Sequence, residues 1–198
     1  MKVIKKNEIL IFKEITKNLS KKWTINSLST KLGLKYRPIY SVAIDLINRK
    51  YIKKNENNLL EPKYFDTFFL QIGEKIRLLE FNNKDIKIIK ERFEKNIGNS
   101  YYSTILFGSS VAKKGKDIDL LFIIPNSSDS SKFEEKINKS LGSFENIVDV
   151  NIITEESAYE MLNRPNQTNV MNEIMKNHLV LIGVENFYNI LKKWKNDK

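Results

Sequence analysis

Asp117 and Asp119 stand one residue apart at the head of an apolar run, Ile118 to Ile124. A Gly108-Ser109-Ser110 triplet lies just upstream, at the end of another such run, Tyr102 to Phe107. Side chains alternate along a strand, so in an extended segment both carboxylates point to one face while Ile118 and Leu120 point into the core. Two like charges about 6–7 Å apart on one strand face repel each other. A divalent cation between them removes the conflict. Hard cations prefer oxygen ligands, and Mg²⁺ takes one or two carboxylates together with substrate phosphates, so the pair reads as a site for Mg²⁺ or Mn²⁺. The Gly-Ser-Ser turn supplies what a phosphate needs: a close backbone approach at glycine, and N–H and hydroxyl donors at the start of a short helix. Asp149, in the β-rich stretch IVDVNII, is a third acid. If its strand lies beside the second one, the three carboxylates share a face, and two metals there would clamp an in-line displacement at phosphorus.

The elements that must position these residues follow from the same stretch. Val111–Lys114 has the length of one helical turn, which Gly115 breaks, and Pro125 closes the second strand. Ser131–Leu141 reads as the helix that joins this strand to the one carrying Asp149. His178, the single histidine, precedes a further apolar strand through Ile182 and lacks a partner His or Cys, so it reads as structural. Phe187, Tyr188, Ile190, Leu191 and Trp194 make one face of a terminal helix, and Arg164 and Asn166 flank Pro165 in a polar turn.

A Gly-Ser turn, an Asp-x-Asp heading an apolar strand and a single Asp in a later strand together resemble the DNA polymerase β-like nucleotidyltransferases, in their minimal form, over residues 98–198. The tail HLVLIGVENFYNILKKWK is similar to that family's closing strand and helix. The resemblance implies a nucleoside triphosphate substrate, ATP by expectation, held by Gly108 and Ser109 with Ser110 and Lys116 beside it. It implies that Asp117 and Asp119 bind both metals and that Asp149 completes the second site and helps activate a hydroxyl acceptor. It also implies a small mixed sheet with helices on one side. The sequence departs from the family in two ways: Asp117 comes only nine positions after Gly108, and Lys116 precedes the acid where the family often has serine. The shortened spacing keeps a second reading open, a relative that binds nucleotide without turning it over and serves as a regulator or partner-binding module.

The first third carries a different signal. Residues 1–66 hold 15 Lys+Arg against 6 Asp+Glu, an excess of nine, whereas the remaining residues hold 19 against 18. Positive charge localised in this way points to a polyanion partner. Residues 8–19 place Ile9, Leu10, Phe12, Ile15 and Leu19 at close to helical spacing. Thr24 or Asn26 caps a short helix through Lys31, and Gly33 stops it. A second helix from Arg37 or Pro38 to Asn48 buries Ile39, Val42, Ala43, Leu46 and Ile47, with Pro38 suited to its first turn. Tyr51–Lys54, a polar Asn55–Asn58 turn and Leu59-Leu60 read as a hairpin. This order resembles a winged helix-turn-helix over residues 5–62. By that resemblance Lys35, Tyr36, Arg37 and Tyr40 meet DNA base edges, and Lys53 and Lys54 reach phosphates.

Between these segments, residues 64–97 read as two helices bridging the domains, the first with a Phe65, Phe68, Phe69, Ile72, Ile76, Leu79 stripe softly broken at Gly73. The expected architecture is therefore α+β in three parts: residues 1–63, a helical connector over 64–97, and the transferase-like domain over 98–198. The chain has 198 residues, 41% hydrophobic and 29% charged, an ordinary globular composition. It has no cysteine, which excludes disulfides, thiolate metal sites and cysteine nucleophiles. No apolar run approaches the length of a membrane span, and Glu8, Lys13 and Glu14 interrupt the apolar start, so neither a membrane segment nor a signal peptide is expected. A cytoplasmic location fits the lack of cysteine, and the sequence leaves the oligomeric state open, a homodimer being compatible with the habits of winged-helix proteins.

Overall fold

The structure, a computed structural model, describes residues 4–98, 101–112 and 117–196. It begins with three helices and a hairpin: α1 (Lys6–Lys17), α2 (Ile25–Leu32), α3 (Tyr36–Asn48), β1 (Ile52–Lys54) and β2 (Leu60–Pro62). Thr24 caps α2 reciprocally with Ser27: the Thr24 hydroxyl accepts from the Ser27 N–H, and the Ser27 hydroxyl accepts from the Thr24 N–H, each at 3.0 Å. Gly33 ends α2 in the left-handed region. The α3 helix starts one residue earlier than expected, with Pro38 in its first turn, and buries Ile39, Ala43 and Leu46. Two details of the N-terminal reading change. The inward face of α1 is Ile11, Phe12 and Ile15, with Ile9 and Leu10 only half-buried. The second strand is Leu60–Pro62, displaced toward the C-terminus because the Leu60 N–H pairs with the Trp23 carbonyl, making a third strand-like edge.

Next come α4 (Phe68–Glu80) and α5 (Lys84–Asn96). They bridge by joining different cores. The α4 helix runs unbroken through Gly73, where a Cβ would lie 2.8 Å from the Phe12 carbonyl carbon and oxygen. Glycine is there for close helix–helix approach, not to interrupt the helix. The buried face of α4 is Phe69, Leu70, Gly73, Glu74 and Arg77, so the expected aromatic stripe is wrong for Phe65, Phe68 and Leu79, which are exposed. The face is set by contact with α1 and by two paired charges, which hydropathy spacing discounts.

The remaining elements are β3 (Ser103–Phe107), a 3₁₀ turn (Gly108–Ala112), β4 (Ile118–Ile124), α6 (Ser130–Leu141), a second 3₁₀ turn (Gly142–Phe144), β5 (Val148–Thr154), α7 (Glu155–Leu162), α8 (Val170–Lys176), β6 (His178–Ile182) and α9 (Val184–Asn196). The first turn begins at Gly108 itself, earlier than expected. The strand order is β5-β4-β3-β6, with β3 antiparallel to both β4 and β6, and β4 parallel to β5 across the α6 connection. Alternation divides the sheet residues between two apolar layers. Ile105, Phe107, Leu121, Ile123 and Val180 join the core built with α4, α7, α8, α9 and the N-terminal helices. Leu106, Ile118, Leu120, Phe122 and Ile124 join a second core with α5 and α6. Helices thus cover both faces, not one, because the strands carry apolar side chains in both directions and each set needs cover. Among the described residues no helix is long and apolar enough to cross a membrane.

The edge strand β6 is closed by a buried ion pair. Glu74 Oε1 accepts the Val180 N–H at 2.7 Å, and Oε2 accepts from Arg77 at 2.8 Å and from the Tyr188 hydroxyl at 3.4 Å. Arg77 also donates to the Thr16 carbonyl at 2.8 Å and to the His178 carbonyl. Burial pushes Glu74 above the usual carboxylate range, against the pull of these donors. His178 is fully buried and donates Nδ1–H to the Ile174 carbonyl at 2.6 Å. Burial, reinforced by the Arg77 charge, lowers its pKa to about 3.

Arg77→Met leaves Glu74 buried and unpaired, and should cost about 3–5 kcal/mol in urea denaturation. Adding Glu74→Gln should recover part of that loss. His178 binds a proton in the unfolded chain at about 6.5 but in the folded protein only at about 3. Its contribution is present above 6.5 and is lost as pH falls through that window. The acid limb of melting temperature against pH should therefore be steeper for the wild type than for His178→Gln.

Candidate active site

Asp119 and Asp149 lie side by side at the end of the sheet where β3 finishes and β4, β5 and β6 begin, and Asp117 stands just before β4. The ladder pairs Asp149 with Asp119, Asp119 with Phe107, and Phe107 with His178, a row crossing all four strands on one face. Asp119 and Asp149 thus occupy neighbouring strands, whose spacing is about 4.8 Å. Asp119 is half-buried and Asp149 exposed. Asp117 lies in the bend before β4 and not within the strand, and it is also exposed.

Gly108 fits against this row. Its φ is +69°, and a Cβ there would collide with Asp119 Oδ2 and lie 3.2 Å from Cγ. Any other residue would be strained in backbone and in space together. The Gly108 carbonyl accepts from Asn177 Nδ2 at 3.3 Å. Ser109 is exposed beside it. Ser110 is buried, and its hydroxyl donates to the Asp117 carbonyl. This differs from the ligand-facing placement expected for Ser110: its hydroxyl holds the acid-bearing bend against the Gly-Ser turn. Lys116 lies outside the described residues.

Burial raises the Asp119 pKa above the ordinary carboxylate value, and the charges of Asp149, Asp117 and Glu173 add to the rise. Glu173, in α8, is a fourth acid that the sequence did not reveal, because no spacing links position 173 to 119. Only the packing of α8 at this end of the sheet does so. Asn177, which steadies Gly108, escaped notice for the same reason. The donor set is all oxygen, as Mg²⁺ or Mn²⁺ prefers. Among the described residues no group of three or more acidic, histidine or cysteine side chains is arranged as a complete metal-holding cluster.

On the N-terminal unit, Lys35, Tyr36, Arg37 and Tyr40 are all exposed at the start of α3. The Tyr36 and Tyr40 rings lie 5.6 Å apart, and each side chain is nearly half exposed. Lys54 is exposed on β1. Lys53 is exposed as well, but Glu61 on the opposite strand holds its ammonium at 3.0 Å. The hairpin therefore offers Lys54 more freely than Lys53. No protein-family model matches the chain, and neither a curated protein nor a solved structure matches it.

A carboxyl group with a raised folded pKa stabilises the fold only while protonated, and that stabilisation is lost as pH rises through the folded value. Asp119 therefore opposes folding at neutral pH until a cation offsets the repulsion. Asp119→Asn should raise the melting temperature in chelator at pH 7, with the gain shrinking in acid. Mg²⁺ or Mn²⁺ should raise the melting temperature of the wild type, the rise growing with the logarithm of cation concentration above the dissociation constant, and leave that of Asp119→Asn unmoved. Gly108→Ala should cost about 1–3 kcal/mol in denaturant titration and remove the cation response by displacing the Asp119 carboxylate.

Proposed function

We propose that the chain is a metal-dependent nucleotidyltransferase of the DNA polymerase β-like type. It moves a nucleoside monophosphate from a nucleoside triphosphate, ATP in the first instance, to a hydroxyl acceptor. Its N-terminal winged helix-turn-helix places it on DNA through Lys35, Tyr36, Arg37, Tyr40 and Lys54. The observation that carries the reading is Asp119 beside Asp149 in the ladder, with the side-chain-free Gly108 pressed against Asp119. Repelling carboxylates at the mouth of a sheet are electrostatically costly unless a cation binds there, and the small-residue turn leaves room for phosphates beside them.

In this reading Gly108 and Ser109 receive the triphosphate, and Ser110 keeps Asp117 close to it. The acceptor oxygen attacks the α-phosphorus in line. The bond from that phosphorus to the bridging oxygen breaks, and pyrophosphate leaves with the electron pair. Asp149, exposed at the head of β5, takes the proton of the acceptor hydroxyl. Mg²⁺ or Mn²⁺ bound by Asp117, Asp119 and Asp149 would neutralise charge on the phosphates and lower the pKa of the attacking hydroxyl. The second reading, a DNA-binding regulator whose nucleotide site does not turn over, draws on the shortened Gly108–Asp117 spacing and on the acids not forming a complete metal cluster.

Purified protein incubated with α-labelled nucleoside triphosphates, Mg²⁺ or Mn²⁺ and pools of RNA, protein and small-molecule acceptors should transfer label to one pool. Asp119→Ala and Asp149→Ala should reduce the transfer to background. Equal transfer by Asp119→Ala would sink the reading. Nucleotide binding without transfer, together with duplex binding lost in Lys35→Ala/Arg37→Ala, would establish the regulator instead.

A further inference from the structure

A cleft of about 740 Å³ opens between the hairpin side of the N-terminal unit and the α7–α8–α9 side of the sheet domain. Its walls meet where Ser20, through both its N–H and its hydroxyl, donates to the Met175 carbonyl at 3.0 Å. Among the described residues that line it, the acids are Glu61 and Glu173, against six lysines: Lys21, Lys22, Lys53, Lys63, Lys176 and Lys195. Glu61 is shared by Lys22 and Lys53, so one carboxylate answers two ammonium groups. Lys63 and Lys176 form no ion pair among the described residues and line the same opening. The net charge of the lining is strongly positive.

The cleft also carries the other features of a polynucleotide groove. Phe65 lines it with about half its surface exposed, offering an aromatic face. The turn between α7 and α8 presents Asn166, Gln167 and Thr168 to it. The backbone of that turn is held by α8 and its cap: Asn172 Nδ2 donates to the Gln167 carbonyl at 2.7 Å and to the Arg164 carbonyl at 3.0 Å, and Asn169 Nδ2 donates to the Met161 carbonyl at 3.1 Å. A basic groove with an exposed ring and exposed amide and hydroxyl groups suits the phosphates and unstacked bases of a single strand. The end of α8 connects the cleft to the acid row: Glu173 and Lys176 line the wall, and the next residue, Asn177, donates to the Gly108 carbonyl at 3.3 Å.

We propose that this cleft binds a single-stranded polynucleotide and leads its end toward Asp119 and Asp149. The strand is a ligand distinct from the duplex met by the start of α3. Its role as the acceptor rests on the transferase reading above, whereas its binding does not.

The test uses fluorescence anisotropy of the full-length protein in chelator, with labelled oligo(rA) and oligo(dT) of about 12 nucleotides and a duplex of equal length. Lys63→Glu/Lys176→Glu should weaken single-strand binding about tenfold or more and lower its salt slope by about 1.4. Duplex binding should stay intact, and it should fall in Lys35→Glu/Arg37→Glu. The milder Lys63→Gln/Lys176→Gln should show the same order with a smaller loss, and unchanged melting temperatures separate binding from folding. The two oligonucleotides distinguish RNA from DNA. Unchanged single-strand affinity in both cleft variants, or equal competition by poly-glutamate, would overturn the proposal, the latter in favour of an acidic protein. Cleft-dependent binding without transfer leaves this inference standing and the transferase reading fallen. Asp119-dependent transfer to RNA that ignores the cleft variants does the reverse.

Discussion

The pairing of Glu74 with Arg77 on α4 is the contact on which the rest of the structure depends. An edge strand exposes N–H and C=O groups that invite pairing with other chains. Here the edge of β6 is taken up by one carboxylate, which receives the Val180 N–H, and one guanidinium, which donates to the His178 carbonyl. The same guanidinium reaches the Thr16 carbonyl in the last turn of α1, where cationic charge also suits the helix dipole. One buried pair thus joins α1, α4, β6 and, through Tyr188, α9. It binds the N-terminal unit and the sheet domain into a common core. Gly73 is needed for this arrangement, because α4 must lie backbone to backbone against α1 before Arg77 can reach Thr16.

That anchored edge sets the candidate site. His178, held by the Ile174 carbonyl, begins β6, and the ladder carries its position across Phe107 to Asp119 and Asp149. The site is an end-of-sheet site: acids at the starts of β4 and β5, a glycine turn at the finish of β3, and α8 ending beside them. Asp119 is the member under most electrostatic stress, half-buried and faced by three other carboxylates. Gly108 has no side chain to shield it. Stress of this kind is typical of functional positions, where a charge arrangement poor for the protein alone is suited to a ligand.

Much of this was legible in the sequence. The strands at 102–107 and 118–124 and the α6 crossover follow from alternation and from a helix long enough to connect parallel strands. The α2–α3 segment was legible for a local reason: Thr24, Gly33 and Pro38 act through their own backbone geometry and need no distant partner. The α4 face was misread because hydropathy spacing counts Glu74 and Arg77 as solvent-facing, and two charges that satisfy each other can be buried where single charges cannot. Cover on both sheet faces does not follow from helical spacing, which reads α5 as a bridge between domains, whereas Ile86, Ile89 and Phe93 are buried against the sheet. Ser110 was misplaced because a serine in a turn reads the same whether its hydroxyl meets a ligand or a neighbouring carbonyl.

The sequence by itself determined what depends on near neighbours along the chain: helix caps, strand alternation, the shared direction expected of acids two residues apart, the concentration of lysine in the first third, and the absence of thiol chemistry. The tertiary structure alone decided what depends on groups remote in sequence. It paired Asp119 with Asp149, brought Glu173 and Asn177 to Gly108 and the acid row, buried the Glu74–Arg77 pair, and opened a lysine-lined cleft between two units. Local rules act over a few residues through backbone geometry. A cleft assembled from positions 19 to 196 exists only after burial of the apolar faces has chosen which distant segments meet.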